Sequence, residues 1–95
     1  MKVEFYISDK PKKKLAAIFT DDCGKQKRVD FGSRGSSTYP DHKDDEIKQN
    51  YIKRHRVREN FDDPFSRGSL SRWILWNKKT FGESINDYKE RFGFD

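Results

Sequence analysis

Cysteine occurs once in the 95 residues, as Cys23 in the polar stretch Asp21-Asp22-Cys23-Gly24. A lone thiol forms no intramolecular disulfide and no multi-thiolate zinc site, and its scarcity fits a reducing compartment. Long apolar runs are missing as well. The longest, Leu15–Phe19, falls far short of the roughly 20 residues that cross a bilayer. Lys2 and Glu4 break the N-terminus, so neither a signal peptide nor a membrane span is expected. Proline is limited to three residues and glycine to six, without a low-complexity tract or internal repeat. The length itself excludes an enzyme with separate cofactor and substrate lobes and predicts one compact domain over residues 1–95.

Charge and aromatic rings are what the chain has in quantity. Charged residues make up 39% of it and all hydrophobic residues only 32%, a balance near the polar edge of what folds. The 15% aromatic content argues for a folded core, because each ring buries a large area at one position. Lys and Arg total 21 against 16 acids, a net charge of +5 that favours polyanionic partners without requiring them.

Three apolar runs, Val3–Ile7, Leu15–Phe19 and Lys27–Phe31, are separated by Asp9-Lys10-Pro11 and by the Asp21–Lys25 turn. They predict a three-stranded antiparallel β-meander over residues 1–31. Such a sheet is marginal alone, so downstream elements must cover its apolar face. Gly32–Tyr39 reads as a loop. Asp41 then offers a helix cap with Asp44 in the reciprocal position, and Ile47, Tyr51, Ile52 and His55 form one apolar stripe, which predicts a helix over 41–58 with an acidic start and a basic end. Ser66 or Ser69 can cap a segment containing Leu70, Trp73 and Ile74, with Trp76 pointing elsewhere. Phe81, Ile85, Tyr88 and Phe92 mark a last helix, with Thr80 and Glu83 as a capping box and Gly93 as its stop. The expected fold is α+β: the meander packed against about three helices, the C-terminal ones lying within 69–94.

The most distinctive surface is Lys53-Arg54-His55-Arg56-Val57-Arg58, four cations without an acid, extended by Lys48 on the same helix. Lys48, Lys53, Arg54, Arg56 and Arg58 can neutralise phosphates of DNA or RNA. Alternatively they form a solvated helix end that suits the dipole and pairs with Glu46 or Glu59. The Gly32–Ser37 loop, with Arg34 beside two glycines, resembles an anion cradle but lacks the spacing and the Lys-Ser/Thr ending of a nucleotide-binding P-loop, so no cofactor is expected. Asp41, His42 and His55, with Asp44, Asp45, Glu46 and Asn60 nearby, admit a metal-dependent nuclease, although the same acids serve helix capping. Neither Cys23 nor any serine has a base at motif spacing, so no catalytic residue is assigned.

The order Asp30-Phe31-Gly32-x-x-Gly35, Tyr51-Ile52-x-Arg54-His55, Gly68-x-Leu70-Ser71-Arg72-Trp73-Ile74-Leu75-Trp76-Asn77-Lys78 and Ile85-x-Asp87-Tyr88-x-x-Arg91-Phe92 resembles a family of small uncharacterised proteins of giant nucleocytoplasmic large DNA viruses. Position 67 holds Arg where a small residue is expected before Gly68. The resemblance implies a viral origin, a place in the host cytoplasm, nucleus or virion, and the same compact domain. It assigns no catalytic residue and no metal. Within the shared block, Arg72 is placed to reach Asp62, Asp63 or a carbonyl at the end of its helix. The expected activity is non-specific nucleic-acid binding; the alternative is a virion structural or protein-interaction module that pairs its first strand, as a homodimer or with a viral or host protein.

Overall fold

A computed structural model describes residues 1–95. Its three strands, β1 (Lys2–Ile7), β2 (Lys13–Thr20) and β3 (Gln26–Ser33), form one antiparallel sheet in the order β1-β2-β3. Four helices follow: α1 (Tyr39–His42), α2 (Asp45–His55), α3 (Arg67–Leu70) and α4 (Phe81–Phe92), with a π-helical segment, Ser71–Leu75, continuing α3. The fold is α+β, as its sequence pattern predicts.

Alternation along the strands decides which face is apolar. Val3 opposes Phe19, Phe5 and Val29 flank Ala17, and Leu15 opposes Phe31. Leu70, Ile74, Leu75 and Tyr88 cover that face, each 0–1% exposed. Aromatic rings complete the seam with α4. Phe5 meets Tyr88 edge-on at 5.7 Å, and Phe94, beyond the left-handed Gly93, stacks on Tyr88 at 5.5 Å. Gly32 allows the C-terminal block to approach β3. A Cβ there would stand 2.7 Å from Leu75 Cδ1, and the backbone holds φ at +77°, a conformation that favours glycine.

The opposite face is fastened by a buried carboxylate. Asp30 accepts two hydrogen bonds from Arg28 at 2.9 Å and one from the Ser8 hydroxyl at 2.6 Å, with Lys10 Nζ at 3.5 Å. Its carbonyl accepts from Arg67 Nε at 3.1 Å, so one residue joins β3 to the β1–β2 connection and to α3. Arg34 reinforces that connection by donating to the carbonyls of Ser8 and Lys10. The Arg28 hydrogen bonds, helped by Ser8 and the nearby positive charges, hold the Asp30 carboxyl far below the usual carboxylate range despite its burial.

Helix 41–58 is not continuous. Thr38, not Asp41, caps the first turn, and Asp41 supplies the reciprocal carboxylate at its third position. Lys43 then adopts φ +54°, which breaks the helix, and Asp44 caps α2 by accepting from Glu46 N and Ile47 N. The far end stops early too: Arg56–Arg58 form a turn after His55. Within α2 the buried stripe is Lys48, Tyr51, Ile52 and His55, leaving Ile47 45% exposed.

Replacing Asp30 by Asn should cost about 2–3 kcal/mol of stability near neutral pH, the scale of charge-assisted hydrogen bonds. Folding depresses the carboxyl, so its contribution is complete above the unfolded value of about 3.9 and fades as pH falls from there through the folded value. Urea unfolding of both proteins across that range checks this; a stability difference that persists unchanged into strong acid contradicts it.

Candidate nucleic-acid interface

The basic segment is carried by α2, and aromatic stacking fixes where α2 lies. The π-helical segment closes with Trp76 N donating to Ser71 O, an i to i+5 bond, and Arg72 holds the Trp76 carbonyl at 2.9 Å. Leu70, Ile74 and Leu75 stay buried while Trp76 faces α2. Its indole stacks on Tyr51 at 4.3 Å and 8°, and Tyr51 stacks in turn on His55 at 4.1 Å and 26°. His42 lies 5.4 Å from the indole, tilted by 48°. The result is a column His42–Trp76–Tyr51–His55. Burial and the nearby Glu59 charge push the Tyr51 hydroxyl up to about 12, against the opposing pull of Ser71, Arg72 and Arg54.

Beside this column lies a cleft of about 350 Å³ between β2, β3, α2 and α3. Lys13, Arg54 and Arg67 reach it from three different elements, with the hydroxyl-bearing Ser33, Ser36 and Ser71. Glu59 is the one acid on its wall; its carboxylate packs against Gly68, whose missing Cβ leaves the room, and stands 3.6 Å from His55 Nδ1.

The structure divides the sequence-predicted cations into two groups. Lys53, Arg54, Arg56 and Arg58 are exposed and form no ion pair or side-chain hydrogen bond, so neither Glu46 nor Glu59 neutralises them. Lys53 and Arg54 border an open hollow with Ile47 and Asn50, and Arg54 also lines the cleft. Lys48 and Arg34 are engaged elsewhere. Lys48 is half-buried, donates to the Asn77 carbonyl at 2.6 Å and lies 4.6 Å from the Tyr39 ring centre; burial, with Arg72 and Lys78, pulls its pKa down. Arg34 is exposed, but its guanidinium is bound to the β1–β2 connection rather than turned toward its own glycine loop.

Lys13 lies in the basic run Lys10-Pro11-Lys12-Lys13-Lys14, not singled out from the sequence, and Arg67 stands apart from any cluster; they join Arg54 only through the fold. The nuclease trio is not assembled. Asp41 is occupied by Thr38 and Lys14, the His42 Nδ1 accepts from Asp44 N, and two aromatic rings separate His42 from His55. No three His, Cys, Asp or Glu side chains lie together in a way that could hold a metal ion. No helix is long and apolar enough to cross a membrane.

This geometry defines a small basic α+β protein with a cationic cleft. The chain belongs to a family of unknown function, DUF5754, whose model matches residues 3–55, from the start of the sheet to the end of α2. It is also similar to uncharacterized protein L851 of Acanthamoeba polyphaga mimivirus, 36% identical over 75 residues, which cover 73% of this chain and 75% of that protein. The viral kinship that its motifs suggest thus has a curated relative behind it; the Leu70–Asn77 block lies outside the residues matched by the family model. No solved structure matches the chain.

Trp76→Ala should remove the central ring of the column and destabilise the protein by about 3 kcal/mol, at the lower end for a large aromatic truncation because the indole is half-buried. Amide exchange should accelerate in α2 more than in β2. Equal acceleration throughout would show that the stack does not specifically hold α2.

Proposed function

We propose that this protein binds nucleic acid through phosphate contacts rather than catalysing a reaction. The observation that carries this reading is that Lys53, Arg54, Arg56 and Arg58 stand exposed without any acid paired to them. Arg28, Arg34 and Lys48, by contrast, are engaged within the protein. Four unneutralised charges in a short segment repel one another and have no structural partner; a polyanion supplies the missing counter-charge and releases condensed counterions as it binds. Arg54 links this segment to Lys13 and Arg67, so the contact surface continues into the cleft. Phosphate contacts carry no sequence information, so binding of this kind is independent of sequence.

A second reading has its own observation. β1 is an edge strand, and Ile7 at its end is 81% exposed with Tyr6 half exposed beside it. Pairing with another strand, of a second copy or of a viral or host protein, would cover both. The charges Lys2 and Glu4 on the same edge oppose such pairing. Sedimentation over a concentration series distinguishes a self-pairing chain from a monomer.

Fluorescence anisotropy with labelled oligonucleotides between about 50 and 200 mM salt tests the leading reading. Affinity should fall steeply with salt. Changing Lys53, Arg54, Arg56 and Arg58 together to Gln should make the log–log slope shallower by about 3 for a single strand. Binding that is absent at low salt, or that ignores the four substitutions, overturns it.

A further inference from the structure

The aromatic column ends at the cleft. Trp76 contacts both His42 and Tyr51, and Tyr51 is enclosed between Trp76 and His55. His55 differs: Tyr51 is its only ring neighbour, its side chain is 39% exposed, and it lines the cleft together with Arg54. The Glu59 carboxylate stands 3.6 Å from Nδ1 and leaves the imidazole partly exposed. His55 is therefore the partly exposed end ring of the column, and Lys13, Arg54 and Arg67 line the same cleft.

We infer that His55 is a stacking platform for one unpaired nucleobase, so that the protein prefers single-stranded over duplex nucleic acid. The inference rests on the phosphate-binding reading and adds to it where the strand is seated. A base lying on His55 continues the column by one ring. Its flanking phosphates then meet Arg54, with Lys13 and Arg67 deeper in the cleft and Lys53, Arg56 and Arg58 along the approaching strand. Every base has a π-face, so this contact grips without reading sequence, as aromatic platforms in single-strand-binding proteins do. Bases within a duplex are already stacked on both faces and cannot enter. The volume of about 350 Å³ lies within the range of small-molecule sites, enough for part of one nucleotide rather than a helix. His55 is already stacked on Tyr51 at 26°, so little ring freedom is lost on binding.

The wild-type protein is titrated with three probes of equal length: oligothymidylate, the corresponding abasic phosphodiester, and a thymine–adenine duplex, with oligouridylate as the RNA counterpart. The oligothymidylate should bind about 10- to 100-fold more tightly than the abasic strand, the range expected for stacking one base, and more tightly than the duplex. His55→Ala should abolish the difference between thymidylate and abasic strands, and His55→Phe should preserve it, with amide exchange in α2 confirming that both variants keep the helix in place. Oligothymidylate and abasic strands bound equally by the wild-type protein, with normal salt dependence, overturn the platform and leave the phosphate reading standing. No salt-dependent binding to any probe overturns both.

Discussion

The stack of Tyr51 on Trp76 is the contact on which the position of the basic segment depends. α2 does not lie across the apolar face of the sheet, which Leu70, Ile74, Leu75 and Tyr88 already occupy. It is held at the side by the indole, by Lys48 donating to the Asn77 carbonyl and by Tyr39 hydrogen-bonded to Asp45. Two of these three ties end on Trp76 or its neighbour Asn77, so the π-helical segment that presents those residues also sets where the cations of α2 stand. The wider turn there keeps Leu75 in the core and is followed by Trp76, whose indole stacks on Tyr51 of α2.

Charge follows the same division between fixed and free. Asp30 gathers Arg28, Ser8, Lys10 and, through its carbonyl, Arg67. Arg72 and Arg91 lie over the Trp73 ring at 4.1 and 3.7 Å, while Arg91 also pairs with Asp87. These cations contribute to the fold by satisfying carbonyls, a carboxylate or a π-face. Lys53, Arg54, Arg56 and Arg58 do none of this. The negative end of the α2 dipole offsets part of their mutual repulsion over the last turn only, and the remainder is the reservoir that an anionic partner can discharge.

Much of this was legible in the chain because it rests on local rules. The meander follows from alternation in Val3–Ile7, Leu15–Phe19 and Lys27–Phe31, and α4 follows from Phe81, Ile85, Tyr88 and Phe92 with its Thr80 cap and Gly93 stop. The break at Lys43 escaped sequence reading because Asp41 and Asp44 are both good caps; which one starts the long helix depends on Thr38 capping a separate short turn first. Lys48 and Arg34 resemble their solvent-exposed neighbours in composition, and only the tertiary positions of the Asn77, Ser8 and Lys10 carbonyls engage them. The cleft was illegible for the same reason. Lys13, Arg54 and Arg67 are remote in sequence, and Arg67 stood out solely as a large residue before Gly68. Arg72 met one of its expected partners, the carbonyl at the end of its helical segment.

The family model ends at His55, yet residues 3–55 do not make a closed structure by themselves. Within them the sheet presents Val3, Phe5, Ala17, Phe19, Val29 and Phe31 on one face, and the rings and aliphatic chains that cover that face come from residues 65–94. A three-stranded sheet without that cover is marginal in water, and Tyr51 without Trp76 has no ring to hold α2 to the body. The C-terminal third therefore performs two tasks through one short block: Leu70, Ile74 and Leu75 close the core, and Trp76 orients the basic helix. Gly32 couples the tasks, because the space its missing side chain leaves is filled by Leu75, the residue immediately before Trp76. Substitution at this glycine, which is also in contact with Lys14, would displace both the core contact and the indole that positions the cleft. The shape of the basic surface is thus set by Gly32, Leu75 and Trp76, which line the same cleft as the charges that give it its chemistry.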